Sequence, residues 1–160
     1  MDVGSVRVGL AASDPDGLIA TPVATLQRGQ GDVDAIVTEV HERGVQTVYV
    51  GLPRHLSGAE GASAASARAY SEALAQAVAP VPVRLVDERM STVSAHRALS
   101  ASGRPGRRHR AVVDQAAAVM ILQDALDSER ATGWRPGERV DVQQDDARRG
   151  RTDGSTTKQE

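Results

Sequence analysis

The chain predicts an α/β fold built on a mixed sheet, and three observations lead there. Short β-type runs joined by tight turns fill its first part. Apolar stretches of strand length then alternate with stretches of helical period. The length of 160 residues, 40% of them apolar, suits one domain around a single ordinary core.

The elements follow in order. Asp2-Val3 and Val6 to Ala12 flank Gly4-Ser5, a tight hairpin signal. Ile19 to Leu26 reads as a third strand, with Pro22 marking an edge or a bulge. Asp32 is placed as an N-cap ahead of Val33, Ile36, Val37 and Val40, and Gly44 closes that helix. Gln46 to Val50 is a short strand ending at Gly51-Leu52-Pro53, and an Ala-rich helix covers Ala62 to Val78. Val83 to Val86 is an apolar strand that stops at Asp87-Glu88-Arg89. Thr92 to Ser102 is a short helix stopped by Gly103, and Ala111 to Ser128 is a long one. Strands linked by turns pair antiparallel, whereas strands separated by helices run parallel with right-handed crossovers. The domain is expected to span 1–130. Residues 131–160 hold few aliphatic side chains and balanced charge, so they are expected to form a disordered C-terminal tail whose removal leaves stability almost unchanged.

Composition excludes several chemistries. There is no cysteine, hence no disulfide, thiolate metal site or cysteine nucleophile. The sequence holds no phosphate-binding Gly-x-x-x-x-Gly-Lys-Ser/Thr loop and no His/Cys set at zinc spacing. Ser57, Ser91 and His96 form no nucleophile elbow. No membrane span or signal peptide is visible, so the expected location is cytoplasmic.

Carboxylates carry the informative pattern. Asp2 precedes a hairpin glycine, Asp87-Glu88 ends an apolar strand, and Asp114 lies near the start of an otherwise apolar helix. In parallel arrangements ligands gather at the carboxyl ends of strands. Side chains alternate across a strand, so only one of Asp87 and Glu88 points into such a site. Each acid has an ordinary alternative, as a partner for a helix dipole or a solvated loop residue. Clustered, they repel unless a hard cation neutralises them, which points to Mg²⁺ or Mn²⁺ and to phosphodiester chemistry.

Four segments together resemble one family. Asp2-Val3-Gly4-Ser5-Val6-Arg7-Val8-Gly9-Leu10-Ala11-Ala12-Ser13-Asp14, Val50-Gly51-Leu52-Pro53, Asp87-Glu88-Arg89-Met90-Ser91-Thr92 and Asp114-Gln115-Ala116-Ala117-Ala118 with Ile121-Leu122-Gln123 look like the YqgF/RuvX family. That family is associated with pre-16S rRNA maturation and with Holliday-junction-resolvase-like proteins. The resemblance covers Asp2 to about Ser128. It implies a ribonuclease H-like fold, with Asp2, Glu88 and Asp114 as the catalytic, metal-holding acids. It also places Arg89 and Thr92 beside the scissile phosphate or in orienting contact with Glu88. The family pattern carries an apolar run before its first Asp, and here the sequence starts Met1-Asp2; the start codon is therefore expected to lie upstream.

Arg104, Arg107, Arg108, His109 and Arg110 form a basic run, and Pro105-Gly106 is expected to keep it non-helical. Such a run neutralises phosphates, which makes Arg107, Arg108 and Arg110 candidate substrate contacts. With only Tyr49, Tyr70 and Trp134 as aromatics, base stacking in the manner of single-strand binders is not supported, and phosphate and shape would dominate recognition. The expected function is metal-dependent endonuclease action on structured nucleic acid, with 5′-end maturation of precursor 16S rRNA first. The alternatives are a junction-resolving DNase and a non-catalytic RNA- or ribosome-binding module. A monomer or a homodimer is compatible with either nuclease reading.

Overall fold

The computed structural model describes residues 1–88 and 107–142. Among these residues the order is β1 (Asp2–Val3), β2 (Arg7–Ser13), β3 (Ala20–Gln27), α1 (Asp32–Glu42), β4 (Val48–Leu52), α2 (Ala62–Ala77), β5 (Val83–Asp87), α3 (Arg107–Thr132) and β6 (Glu138–Arg139). The expected Thr92–Ser102 helix and the stretch from Gln143 onward lie outside the described residues.

β1, β2 and β3 form an antiparallel sheet, and β4, β5 and β6 form a mixed one. β4 and β5 run parallel, as expected of strands joined through a helix. Two bonds tie the sheets edge to edge. The Met1 ammonium donates to the Tyr49 carbonyl at 2.6 Å, and the Gly51 N–H donates to the Met1 carbonyl at 3.0 Å. β1 thus lies between β2 and β4. The β2–β3 register slips between Leu10 and Ala11, and Ala11 faces Pro22, so the proline sits where the ladder is already irregular.

Alternation along the strands sorts the side chains between two faces. Val8, Leu10, Val48, Val50, Leu52, Val83 and Leu85 turn to one side and pack with Ile36 and Val40 of α1 and Leu74 of α2. On the other side Val86 meets Ala117, Met120 and Ile121 of α3. The buried residues of α3 are mostly small (Ala117, Ala118 and Ala125 beside Ile121 and Leu126), so its backbone approaches the sheet closely. The approach is tightest over Gly9, where an added Cβ would fall 2.2 Å from the Asp114 carbonyl oxygen.

Local chemistry explains most element ends. Gly44 (φ 59°) ends α1: its N–H bonds the His41 carbonyl while that of Val45 bonds the Val40 carbonyl, the paired closure of a left-handed helix stop. Three placements differ from the sequence expectation. Gly31 is the N-cap of α1, and Asp32 is its first helical residue, where it accepts bonds from the Val33 N–H and the Tyr70 hydroxyl. α3 begins at Arg107, so residues 107–110 are helical backbone rather than a loop. Beyond Arg130 the chain turns back and adds β6 to the edge of β5. There the Val140 N–H bonds the Val83 carbonyl, Val140 is buried, and Arg68 bonds Glu138. The packed body therefore extends past the expected boundary at Arg130. A two-residue strand leaves no periodicity from which to foresee it.

Candidate acidic site

The second face of the sheet collects the candidate acids. Asp2 lies opposite Gly9 in the β1–β2 pair, and residues so paired project from the same face, the one covered by α3. Gly9 packs against the Asp114 backbone, which brings the helix bearing Asp114 over the strand partner of Asp2. Glu88 follows β5 and places its carboxylate over Gly51 of β4. A Cβ on Gly51 would fall 2.3 Å from Glu88 Oε1 and 2.6 Å from Ile121 Cδ1. Glycine here is a requirement of space: any side chain would displace the carboxylate. Asp87 turns the other way, toward the loop after β4, where Arg54 lies 3.7 Å from it and 2.9 Å from Glu60. Alternation thus selects Glu88 for the α3 face.

Asp2 and Glu88 are 6% and 5% exposed, far more buried than carboxylates usually are. Both act on the Met1 ammonium. Burial lowers that group to about 6, and Asp2 and Glu88 oppose the shift. Desolvating a carboxylate costs several kcal/mol unless opposite charge and hydrogen bonds compensate it, so the pair belongs beside positive charge.

Asp114 stands differently. Its carboxylate is engaged by Arg7, with Nε 2.5 Å from Oδ2, and both side chains are about one-fifth exposed. Among the described residues no group of three or more His, Cys, Asp or Glu side chains closes on a common point suited to a metal ion. The structure thus brings Asp2 and Glu88 into one electrostatic environment and lays the Asp114 backbone alongside, while the Asp114 side chain is turned onto Arg7. Arg7 was not foreseen, since in the sequence it is one position of a strand. Only the β1–β2 register and the packing of α3 reveal its partner.

Arg89 and Thr92 lie outside the described residues. Arg107, Arg108 and Arg110 fall in the first turn of α3, about one turn before Asp114, and the description covers only their backbone. No helix among the described residues is long and apolar enough to cross a membrane.

An α/β chain with two buried acids on the sheet face beneath one long helix, Asp2 opening β1 and Glu88 following β5, defines a class of domain that gathers negative charge for a cationic ligand. Comparison with known proteins is more specific. A family model described as RuvX, Holliday junction resolvase, matches residues 1–128, and the chain belongs to that family. A protein of Nocardioides sp. is 57% identical over 146 residues, covering 88% of this chain and 94% of its own, and is named "Putative pre-16S rRNA nuclease". Proteins bearing the same name from Thermobifida fusca and Streptomyces coelicolor are 53% and 51% identical, over 88% and 89% of this chain and 93% and 86% of theirs.

Proposed function

We infer that this chain is a nuclease of structured nucleic acid that acts in the cytoplasm on precursor 16S rRNA. The observation that carries the reading is the pair of buried carboxylates, Asp2 and Glu88, on the face where α3 presents Asp114. Family membership and the names of relatives supply the substrate class. The strand order, with the first acid on a central strand and a long helix across it, agrees with a ribonuclease H-like arrangement.

The donor set consists of carboxylate oxygens alone, which suits a hard divalent cation such as Mg²⁺ or Mn²⁺. Asp2 and Glu88 would hold it, joined by Asp114 once its carboxylate turns away from Arg7. Bound there, it would supply a Lewis acid that sharpens an attacking water and stabilises the departing oxygen of a phosphodiester. The other roles belong to the chain itself. Gly51 leaves room for the Glu88 carboxylate, and Arg7 engages the carboxylate of Asp114. Arg54 bonds Glu60 and approaches Asp87, which steadies the end of β5. The basic run Arg104–Arg110, whose last four residues open the helix of Asp114, would draw in phosphates, reading shape rather than sequence. Arg89 and Thr92, one and four positions after Glu88, would touch the scissile phosphate or orient Glu88.

A second reading, cleavage of four-way DNA junctions, is favoured by the family's own description. Purified protein offered precursor 16S rRNA and a four-way junction in Mg²⁺ or Mn²⁺ separates the two. The inference predicts a discrete cut in the RNA. Symmetric paired cuts in the junction would favour the resolvase, and binding with no cleavage of either would leave a non-catalytic RNA-binding module.

A further inference from the structure

Next to Glu88, on the side away from Asp114, is a cavity of about 280 Å³. It lies at the lower end of the range of small-molecule sites, enough for one planar ring system but not for a length of nucleic acid. Val86 and Ile121 line it with Ala125 and Pro136, and its polar lining is Asp87, Glu88, Asp124 and Ser128, acidic but for one hydroxyl. One wall is pinned: Arg84 donates to the carbonyls of Pro136 and Gly137 at 2.7 and 2.6 Å. Gly137 itself lies so close to β5 that a Cβ would fall 2.3 Å from the Leu85 carbonyl oxygen. The cavity is therefore largely formed in advance. Ile121 and Asp124 stand seven and ten residues after Asp114, about 10–15 Å along α3. A strand whose phosphate lay at the acids would bring a neighbouring base within reach.

Carboxylates at the cavity repel phosphate and accept hydrogen bonds only. The occupant is then an uncharged flat group with donors on one edge and faces that suit apolar walls. Among nucleobases, guanine alone presents two adjacent donors, N1–H and the 2-amino group, spaced for the two oxygens of one carboxylate. Adenine and cytosine set a single amino donor beside an acceptor nitrogen, and uracil flanks its one N–H with carbonyls. Partial desolvation and the neighbouring Asp127 raise Asp124, exposed though it is, above the usual carboxylate value, so its carboxylate gains by accepting such donors.

We propose that the cavity between the end of β5, α3 and the Pro136–Gly137 turn seats a guanine next to the cleaved phosphate, with Asp124 accepting from its Watson–Crick edge. The proposal rests on the nuclease reading for its place in the reaction, but its binding chemistry is testable alone. The full chain with ¹³C-labelled Ile and Ala methyls is titrated with GMP, IMP, AMP, CMP and UMP, all of which share the phosphate. GMP is expected to shift the Ile121 and Ala125 methyls saturably. IMP, which lacks the 2-amino group, is expected to bind at least tenfold more weakly, and Asp124→Asn, a change at an exposed position, to weaken GMP at least tenfold. Equal response to all five nucleotides, or none, overturns the guanine site. If RNA is cut with no GMP preference, the guanine site falls and the nuclease stands. If GMP is seated as expected but no RNA is cut, the guanine site stands and the nuclease reading falls.

Discussion

Replacing Gly9 with alanine tests how closely α3 is laid on the sheet. The new Cβ would sit 2.2 Å from the carbonyl oxygen of Asp114 and 2.7 Å from its carbonyl carbon, where ordinary contact begins near 3.4 Å. Both neighbours are backbone atoms, so no rotamer change relieves the clash, and α3 must retreat by about 1 Å over this turn. Overpacking of this kind costs typically 1–3 kcal/mol. Rigid backbone on both sides puts Gly9→Ala in the upper half of that range, about 2–3 kcal/mol. For a chain of this length that lowers Tm by roughly 5–10 °C. The same retreat carries Asp114 away from Asp2, and a displacement near 1 Å can cost about a hundredfold in rate. Circular dichroism melting and RNA cleavage by the folded variant measure the two effects. A Tm within 1 °C of the parent with unchanged cleavage would refute the packing of α3 on β2.

Other perturbations separate the site from its frame. Gly51→Ala meets only side-chain tips, Glu88 Oε1 and Ile121 Cδ1, so it should lower cleavage at least tenfold while costing less stability than Gly9→Ala; a larger loss of Tm than of rate would contradict this. Ser71 is fully buried with no hydrogen-bond partner for its hydroxyl among the described residues, so Ser71→Ala should leave stability unchanged or raise it by about 1 kcal/mol in urea unfolding; a loss above about 1 kcal/mol would show a hidden partner. Hydrogen bonds from Arg68 hold the Glu60 and Glu138 carboxyls below their ordinary value of 4.5. Their stabilisation is present above that value and is lost as pH falls through the lowered ones. Arg68→Ala should therefore be less stable than the parent at pH 7, with the gap closing in acid; a gap constant with pH would contradict the assignment. Changing Arg107, Arg108 and Arg110 together to Ser should weaken RNA binding and flatten its salt dependence, and an unchanged slope would make the basic run incidental.

The sequence reveals those parts of the molecule that depend on neighbours in the chain. Gly4-Ser5 marks a hairpin because the turn needs those residues locally, and Val48 and Val50 identify a strand by composition, though it runs on to Leu52. Period-two alternation shows in advance that Asp87 and Glu88 face opposite ways. The pairings that build the site are distant. Arg7 and Asp114 are 107 positions apart, and nothing local to either records the other. Gly9 reads as a strand glycine until α3 is seen to cross it. β6 is missed because two residues carry no period, and its hold on the fold comes from Arg68 and Val83, far away in sequence. Asp32 is misplaced by one position because Gly31, at φ 94°, takes the turn into α1 that an Asx cap would otherwise supply.

Cleavage of precursor 16S rRNA by the parent protein and by Asp2→Asn, Glu88→Gln and Asp114→Asn, each with Mg²⁺ or Mn²⁺ and with excess chelator, bears most directly on the acidic site. The account predicts a discrete cut by the parent only when the divalent ion is present, with each substitution reducing it at least a hundredfold while the melting transition is retained. Cutting that persists in chelator, or that survives Asp114→Asn intact, would contradict it.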